Sequence, residues 1–362
     1  MRKGTQMNIR ILGSVIAVLV GLAPFAANAQ QSSSYPVKPL RIIVPGVPGA
    51  PPDIQVRRLS PRLAAALGQA VVVENRPGAA GLIAAQEVAR SVPNGYTLLY
   101  GTNNDILREF GPNPRFLLTQ SFSPVIRLAS IPILVIVSPS IRAGSLREVI
   151  DLARAKPGVL THAAAGPGSG SGLLGAWLKS MARIDMLEVH YKSLGAEIND
   201  LLSGQIALSF NFFDVVSPHS RSGKLKVLAV TSTKRLAVLP DVPTTAEAGL
   251  PGFEYAAFGG IFVPLGTPRP VIQQLHQQMA NIISTPDFRD RVIATGGEVG
   301  GESPEELATF LRAESDKWGK VIKAYWVQTG IACACAISLQ LTSQRPPWSR
   351  SADDRSCPSY DL

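Results

Sequence analysis

From Leu40 onward, short β-branched runs alternate with segments of helical period, and Gly or Pro separates them. The clearest strands are expected at Leu40–Val44, Val71–Glu74, Thr97–Tyr100, Ile133–Val137 and Lys226–Thr231. Such alternation predicts an α/β architecture with largely parallel sheets. At 362 residues the chain is long enough for two cores, and 17% charged against 46% hydrophobic residues is a globular balance rather than a disordered one.

Capping residues locate the helices. Asp53 is expected to cap a helix with Ile54, Leu59, Leu63 and Leu67 facing inward, ending at Gly68. Ser145 with Glu148 forms a capping box, and that helix should stop before Lys156-Pro157-Gly158. Ser303-Pro304-Glu305-Glu306 repeats the device ahead of Leu307, Phe310, Leu311, Trp318 and Ile322.

The two ends depart from this pattern. Arg2, Lys3 and Arg10 precede an apolar run from Ile11 to Leu22, and Ala27-Asn28-Ala29 offers small residues to a signal peptidase, so residues 1–29 read as a signal peptide. The run is shorter than the roughly 20 apolar residues a bilayer requires, although an uncleaved anchor is the alternative. Residues 331–362 lose all period and read as an anomalous tail, expected to be disordered, with an authentic functional tail as the alternative. Cys333, Cys335 and Cys357 all lie in that tail, which leaves the core without a disulfide framework or a Cys-based site. Arg2, Lys3 and Arg10 also carry part of the formal charge of +9, and the rest is spread out. A mild positive field suits a small anion, and the lack of a basic run interleaved with aromatics argues against nucleic acid.

Three Gly-rich loops stand between a strand and a helix: Pro45–Asp53, Asn75–Gly81 and Gly166–Gly172. In such loops backbone N–H groups can face a carboxylate or phosphate, although simple tight turns give the same composition. The third loop lacks the Gly-Lys-Ser/Thr ending of a P-loop and the Gly-x-Ser-x-Gly of a nucleophile elbow. His162, His190, His219 and His276 form no His-Glu-x-x-His pair, so neither metal nor cofactor is expected. No catalytic residue is assigned and the chain is not expected to be an enzyme. Asp53 either serves only as a cap or fixes its loop so that the amides converge on a ligand. Asn211, at the end of the apolar run Ile206–Phe210, is open between core satisfaction and ligand contact.

Longer phrases carry a resemblance. They are Tyr35-Pro36-Val37-Lys38-Pro39, Ile42-Ile43-Val44-Pro45, Val71-Val72-Val73-Glu74-Asn75-Arg76-Pro77-Gly78-Ala79 and Pro93-Asn94-Gly95-Tyr96-Thr97-Leu98-Leu99. Leu228-Ala229-Val230-Thr231-Ser232 and Leu239-Pro240-Asp241-Val242-Pro243-Thr244 follow, the latter running on through Glu247-Ala248-Gly249-Leu250-Pro251-Gly252. In order over residues 35–328, they resemble the substrate-binding proteins of tripartite tricarboxylate transporters, the Bug family of periplasmic solute receptors.

The resemblance implies a two-lobed, type II periplasmic-binding-protein fold that closes on its ligand like a hinged trap. Lobe one would comprise residues 36–133 with 260–328, and lobe two residues 134–259, with crossings near Ile131–Val137 and Tyr255–Val263. It implies a monomeric periplasmic receptor that captures a di- or tricarboxylate, amino acid or aromatic acid and hands it to a membrane permease. By motif, the ligand would meet Pro48, Gly49 and Asp53 on the first loop, Gly78 and Ala79 on the second, and Thr102 and Asn103 on the third. From lobe two it would meet Gly166, Gly168, Ser169 and Asn211. The first loop departs from the family pattern, with Ala50, Pro51 and Pro52 where a second Gly and then Ser or Thr are usual, so two amide donors are missing. A degenerate, non-binding copy is therefore an alternative, and an exported α/β hydrolase is another.

Overall fold

The structure, a computed structural model, describes residues 35–110, 114–165 and 169–329. Residues Met1–Val37 form one unit, of which only Tyr35–Val37 are described, and Lys38–Leu362 form the other. The signal peptide and the tail after residue 330 lie outside the described residues.

Among the described residues eleven strands make two sheets. The first sheet, in spatial order, contains β11 (Glu298–Val299), β4 (Phe122–Pro132), β10 (Ala256–Pro264), β3 (Thr97–Thr102), β1 (Leu40–Val44) and β2 (Val71–Asn75). The second runs β7 (Leu187–His190), β6 (Thr161–Ala164), β8 (Leu208–Asn211), β5 (Leu134–Val137) and β9 (Lys226–Val230). With the first sheet go α1 (Pro51–Leu67), α2 (Leu82–Ala89), α3 (Asn103–Leu107) and α4 (Leu118–Ser121). The second carries α5 (Leu146–Ala155), α6 (Gly170–Ala182), α7 (Leu194–Ser203) and α8 (Phe213–Arg221). The chain then returns for α9 (Arg269–Ile283), α10 (Pro286–Ala294) and α11 (Pro304–Thr329).

The sheets are mixed rather than largely parallel. β1 pairs parallel with β2 and β3, and β6 with β7 and β8, but β10 runs antiparallel to β3 and β4, and β5 antiparallel to β8 and β9. The antiparallel strands β5 and β10 are those that arrive directly from the other lobe, so no crossover helix sets their direction. β10 enters the first sheet at Ala256.

The first helix also differs from the sequence expectation. It begins at Pro51, with Ala50 rather than Asp53 at its N-cap, and proline at its first two positions. A fixed φ and a missing N–H cost nothing there, which lets Pro51 and Pro52 start the helix two residues before Asp53. Its buried face is Val56, Leu59 and Leu63, while Ile54 is 39% exposed. The other caps form as read: Ser145 Oγ accepts from the Glu148 amide at 3.2 Å, and the Glu306 carboxylate accepts from the Ser303 amide at 2.9 Å.

Both crossings are stapled by one threonine. Thr231 follows β9 and is buried; its Oγ1 accepts from the Ile133 amide at 2.9 Å and lies 2.6 Å from the Tyr255 carbonyl. Main-chain bonds from Thr231 N to Ile133 O and from Tyr255 N to Thr231 O, each 3.0 Å, complete the knot. Thr231→Val keeps the shape and orphans the buried Ile133 N–H, so it should cost about 1–3 kcal/mol, read as a lower urea midpoint at unchanged slope.

Above this hinge, core packing continues from one lobe into the other. Trp318 on α11 is fully buried and stacks edge-on against Trp177 of α6 and against Tyr255, with both centroid distances 5.5 Å. Trp177 in turn meets Phe253 at 4.7 Å. Deeper in lobe two, the ring of His162 on β6 lies against Gly175, where a Cβ would come within 2.1 Å of it. Both nitrogens of that ring lack hydrogen-bond partners among the described residues, with Glu188 Oε2 at 3.7 Å, and burial holds the imidazole below its usual range.

Candidate functional site

At the C-terminal ends of β1, β2 and β3 the loops of lobe one are locked to one another, and Asp53 is the lock. It is 1% exposed and accepts from the Gly49 amide at 2.8 Å, from Arg57 Nε at 2.9 Å and from Asn75 Nδ2 at 3.0 Å. Asn75 also donates to Gly46 O at 2.9 Å, so the first and second loops share one set of bonds. Arg57 beside it, with the Gly49 and Asn75 donors, holds the Asp53 carboxyl down at about 2. With three donors already on its carboxylate, Asp53 shapes the loop.

The third loop joins them. Thr102 caps α3 in a reciprocal box with Asp105, whose Oδ2 accepts from the Thr102 amide at 2.8 Å while Arg108 Nη1 donates to Oδ1 at 2.8 Å. Full burial raises the Asp105 carboxyl despite Arg108. A Cβ on Gly81 would sit 3.3 Å from Pro45 Cβ and 3.4 Å from Asp105 Oδ1, which brings the three loops to one place. Gly78 and Ala79 lead into that point with φ of 120° and 47°, left-handed values that glycine tolerates and alanine resists. Pro48 and Gly49 are exposed at the tip of the first loop.

Asn103 ties this cluster to the hinge strand. Its Oδ1 accepts from the Phe258 amide at 2.5 Å and its Nδ2 donates to Ala256 O at 3.2 Å, so the side chain is taken up by β10. From the other lobe, the N-terminal residue of α6 comes to the same segment, since a Cβ on Gly170 would lie 3.5 Å from Tyr255 Oη. Ser169 caps α6 by accepting from the Gly172 amide at 3.2 Å, and Ser171 Oγ accepts from the Ala165 amide at 3.0 Å. Gly166 and Gly168 lie outside the described residues.

Asn211 closes β8 opposite Leu134, next to the Ile133 crossing. It is 6% exposed, and its Nδ2 donates to Glu197 Oε1 at 2.7 Å and to Ser209 Oγ at 2.8 Å; Ser209 donates to the same Glu197 oxygen. Glu197 was not singled out in the sequence, although a glutamate beside Ile198 on the inward face of α7 was the available signal. Among the described residues no group of three or more His, Cys, Asp or Glu could hold a metal ion.

Two α/β lobes whose strands cross at a stapled hinge, with the first residues of α3 and α6 brought to the hinge segment from either lobe, define a two-lobed solute-binding receptor. The comparisons agree on the family. The model of the tripartite tricarboxylate transporter family receptor, TctC, matches residues 55–326, and the chain belongs to that family. The UPF0065 protein in the tcbD-tcbE intergenic region of Pseudomonas sp. (strain P51) is 32% identical over 85% of this chain and 94% of its own. Among solved structures, R. palustris Rpa4515 with adipate superposes with a TM-score of 0.70 at 31% identity, covering 80% of this chain and 98% of that one. MatC from Rhodopseudomonas palustris with bound malate gives 0.68 at 30% identity, covering 80% and 100%.

Proposed function

We propose that this protein is exported by its N-terminal leader, works as a periplasmic monomer, and captures a small carboxylate for delivery to the permease of a tripartite transporter. The observation that carries the reading is the convergence of the interlocked loops of lobe one, through Asn103, and the N-terminus of α6 from lobe two on the hinge segment Tyr255–Phe258. Main-chain amides at such positions suit a carboxylate, and solved relatives are recorded with adipate and malate. Gly78, Ala79, Thr102 and Ser169 would contribute through their backbone and hydroxyl groups, with Pro48 and Gly49 at the rim. Closure follows because only the closed state puts both lobes in contact with the ligand.

The test is thermal unfolding of the chain from Gln30 against a panel of aliphatic dicarboxylates, amino acids and aromatic acids. A ligand at 100 times its dissociation constant should add about 2.7 kcal/mol and raise the melting point. A second reading, a folded copy that no longer binds, draws on Pro51 and Pro52, which leave Asp53 as the only amide donor among the first three residues of α1. A cooperative melt that no member of the panel moves favours that second reading.

A further inference from the structure

Glu197 is a carboxylate 6% exposed, in the first turn of α7, and among the described residues no Lys, Arg or His lies within ion-pair distance of it. Its Oε1 already accepts from Asn211 and Ser209, whereas Oε2 has no protein partner among the described residues. A carboxylate oxygen without a protein partner is best met by a positive charge or a strong donor.

Asn211 sharpens what the missing partner must be. Both of its amide hydrogens are used, one on Glu197 and one on Ser209, and turning the amide over would set its oxygen against the Glu197 carboxylate. Only Oδ1 remains, and it can accept but cannot donate. Asp200, one turn further along α7, is engaged by the Tyr191 hydroxyl at 2.7 Å. Asn211 pairs with Leu134 beside the hinge, so this acceptor-only corner stands at the cleft end of lobe two. An anionic group brought there meets like charge, while an ammonium meets a charge and two acceptors.

We infer that the ligand is an amino acid whose protonated amine is held by Glu197 Oε2 and Asn211 Oδ1, with its carboxylate on main-chain amides; this rests on the receptor reading above. Calorimetric titration of pairs that differ only in the α-amino group tests it: aspartate with succinate, glutamate with glutarate, phenylalanine with 3-phenylpropionate. In the pair whose skeleton fits, the amino member should bind at least tenfold tighter, and Glu197→Gln should remove that preference. Because Gln keeps an oxygen for Asn211 and Ser209, Glu197→Gln without ligand should melt at or above the temperature of the unmodified chain.

A deaminated acid that binds as well as its amino partner, or a Glu197→Gln variant that keeps the preference, overturns the inference while the carboxylate receptor stands. A ligand-free Glu197→Gln variant that melts well below the unmodified chain makes Glu197 structural and overturns it as well. Failure of every acid in the pairs and of the wider panel removes the receptor reading, and this inference with it.

Discussion

Trp318→Ala should destabilise the protein by about 3–5 kcal/mol, the range for emptying a buried tryptophan site. Trp318 has no exposed surface, and its ring contacts Trp177 on α6 and Tyr255 at the second crossing, so the void opens where both lobes and the hinge share a core. Collapse cannot repair it cheaply, because moving α11 toward α6 would disturb the packing of Trp177 on Phe253. Urea unfolding measures the loss. Trp318→Phe, which refills most of the volume and gives up only the indole N–H bond to Glu314 at 3.2 Å, should recover more than half of it. If Trp318→Ala shifts the midpoint no further than a surface substitution on α11 such as Lys320→Ala, the lobes are not held by this aromatic cluster.

The elements that the sequence made legible are those with local signals. β1 falls at Leu40–Val44 as read, β2, β3 and β9 to within two residues, and the caps at Ser145 and Ser303 form because their partners lie three residues away. Fold and family were legible for a different reason, in that long ordered phrases survive where packing constrains whole strands and turns. What escaped depends on contacts distant in sequence. The Asn103 amide is drawn to β10 at Ala256 and Phe258, more than 150 positions later, and no local pattern announces such a partner. Asp53 read as a cap because Asp before an apolar period usually is one. The two prolines start the helix earlier and leave Asp53 to turn back onto Gly49. Glu197 was hidden by the opposite problem: a charged residue in a helix reads as solvated until the strand beside it is known.

Asp53→Ala should cost about 3 kcal/mol at neutral pH. The ion pair itself is a minor part of that cost, since the Arg57 side chain is 51% exposed and can turn to water. The larger part comes from leaving the Gly49 amide and Asn75 Nδ2 without their shared acceptor, which unties the first loop from the second. Acid provides an independent check on the same group. A carboxylate near 3.9 when unfolded and about 2 when folded stabilises the native state fully above the unfolded value and loses that contribution as pH falls toward 2. The stability gap between the unmodified chain and Asp53→Ala should therefore hold from pH 7 to about pH 5 and narrow steadily below pH 4. Urea titrations at pH 7, 5 and 3 measure it. A gap that stays constant down to pH 3 would mean that Asp53 acts by filling space and that its charge does not hold the loops.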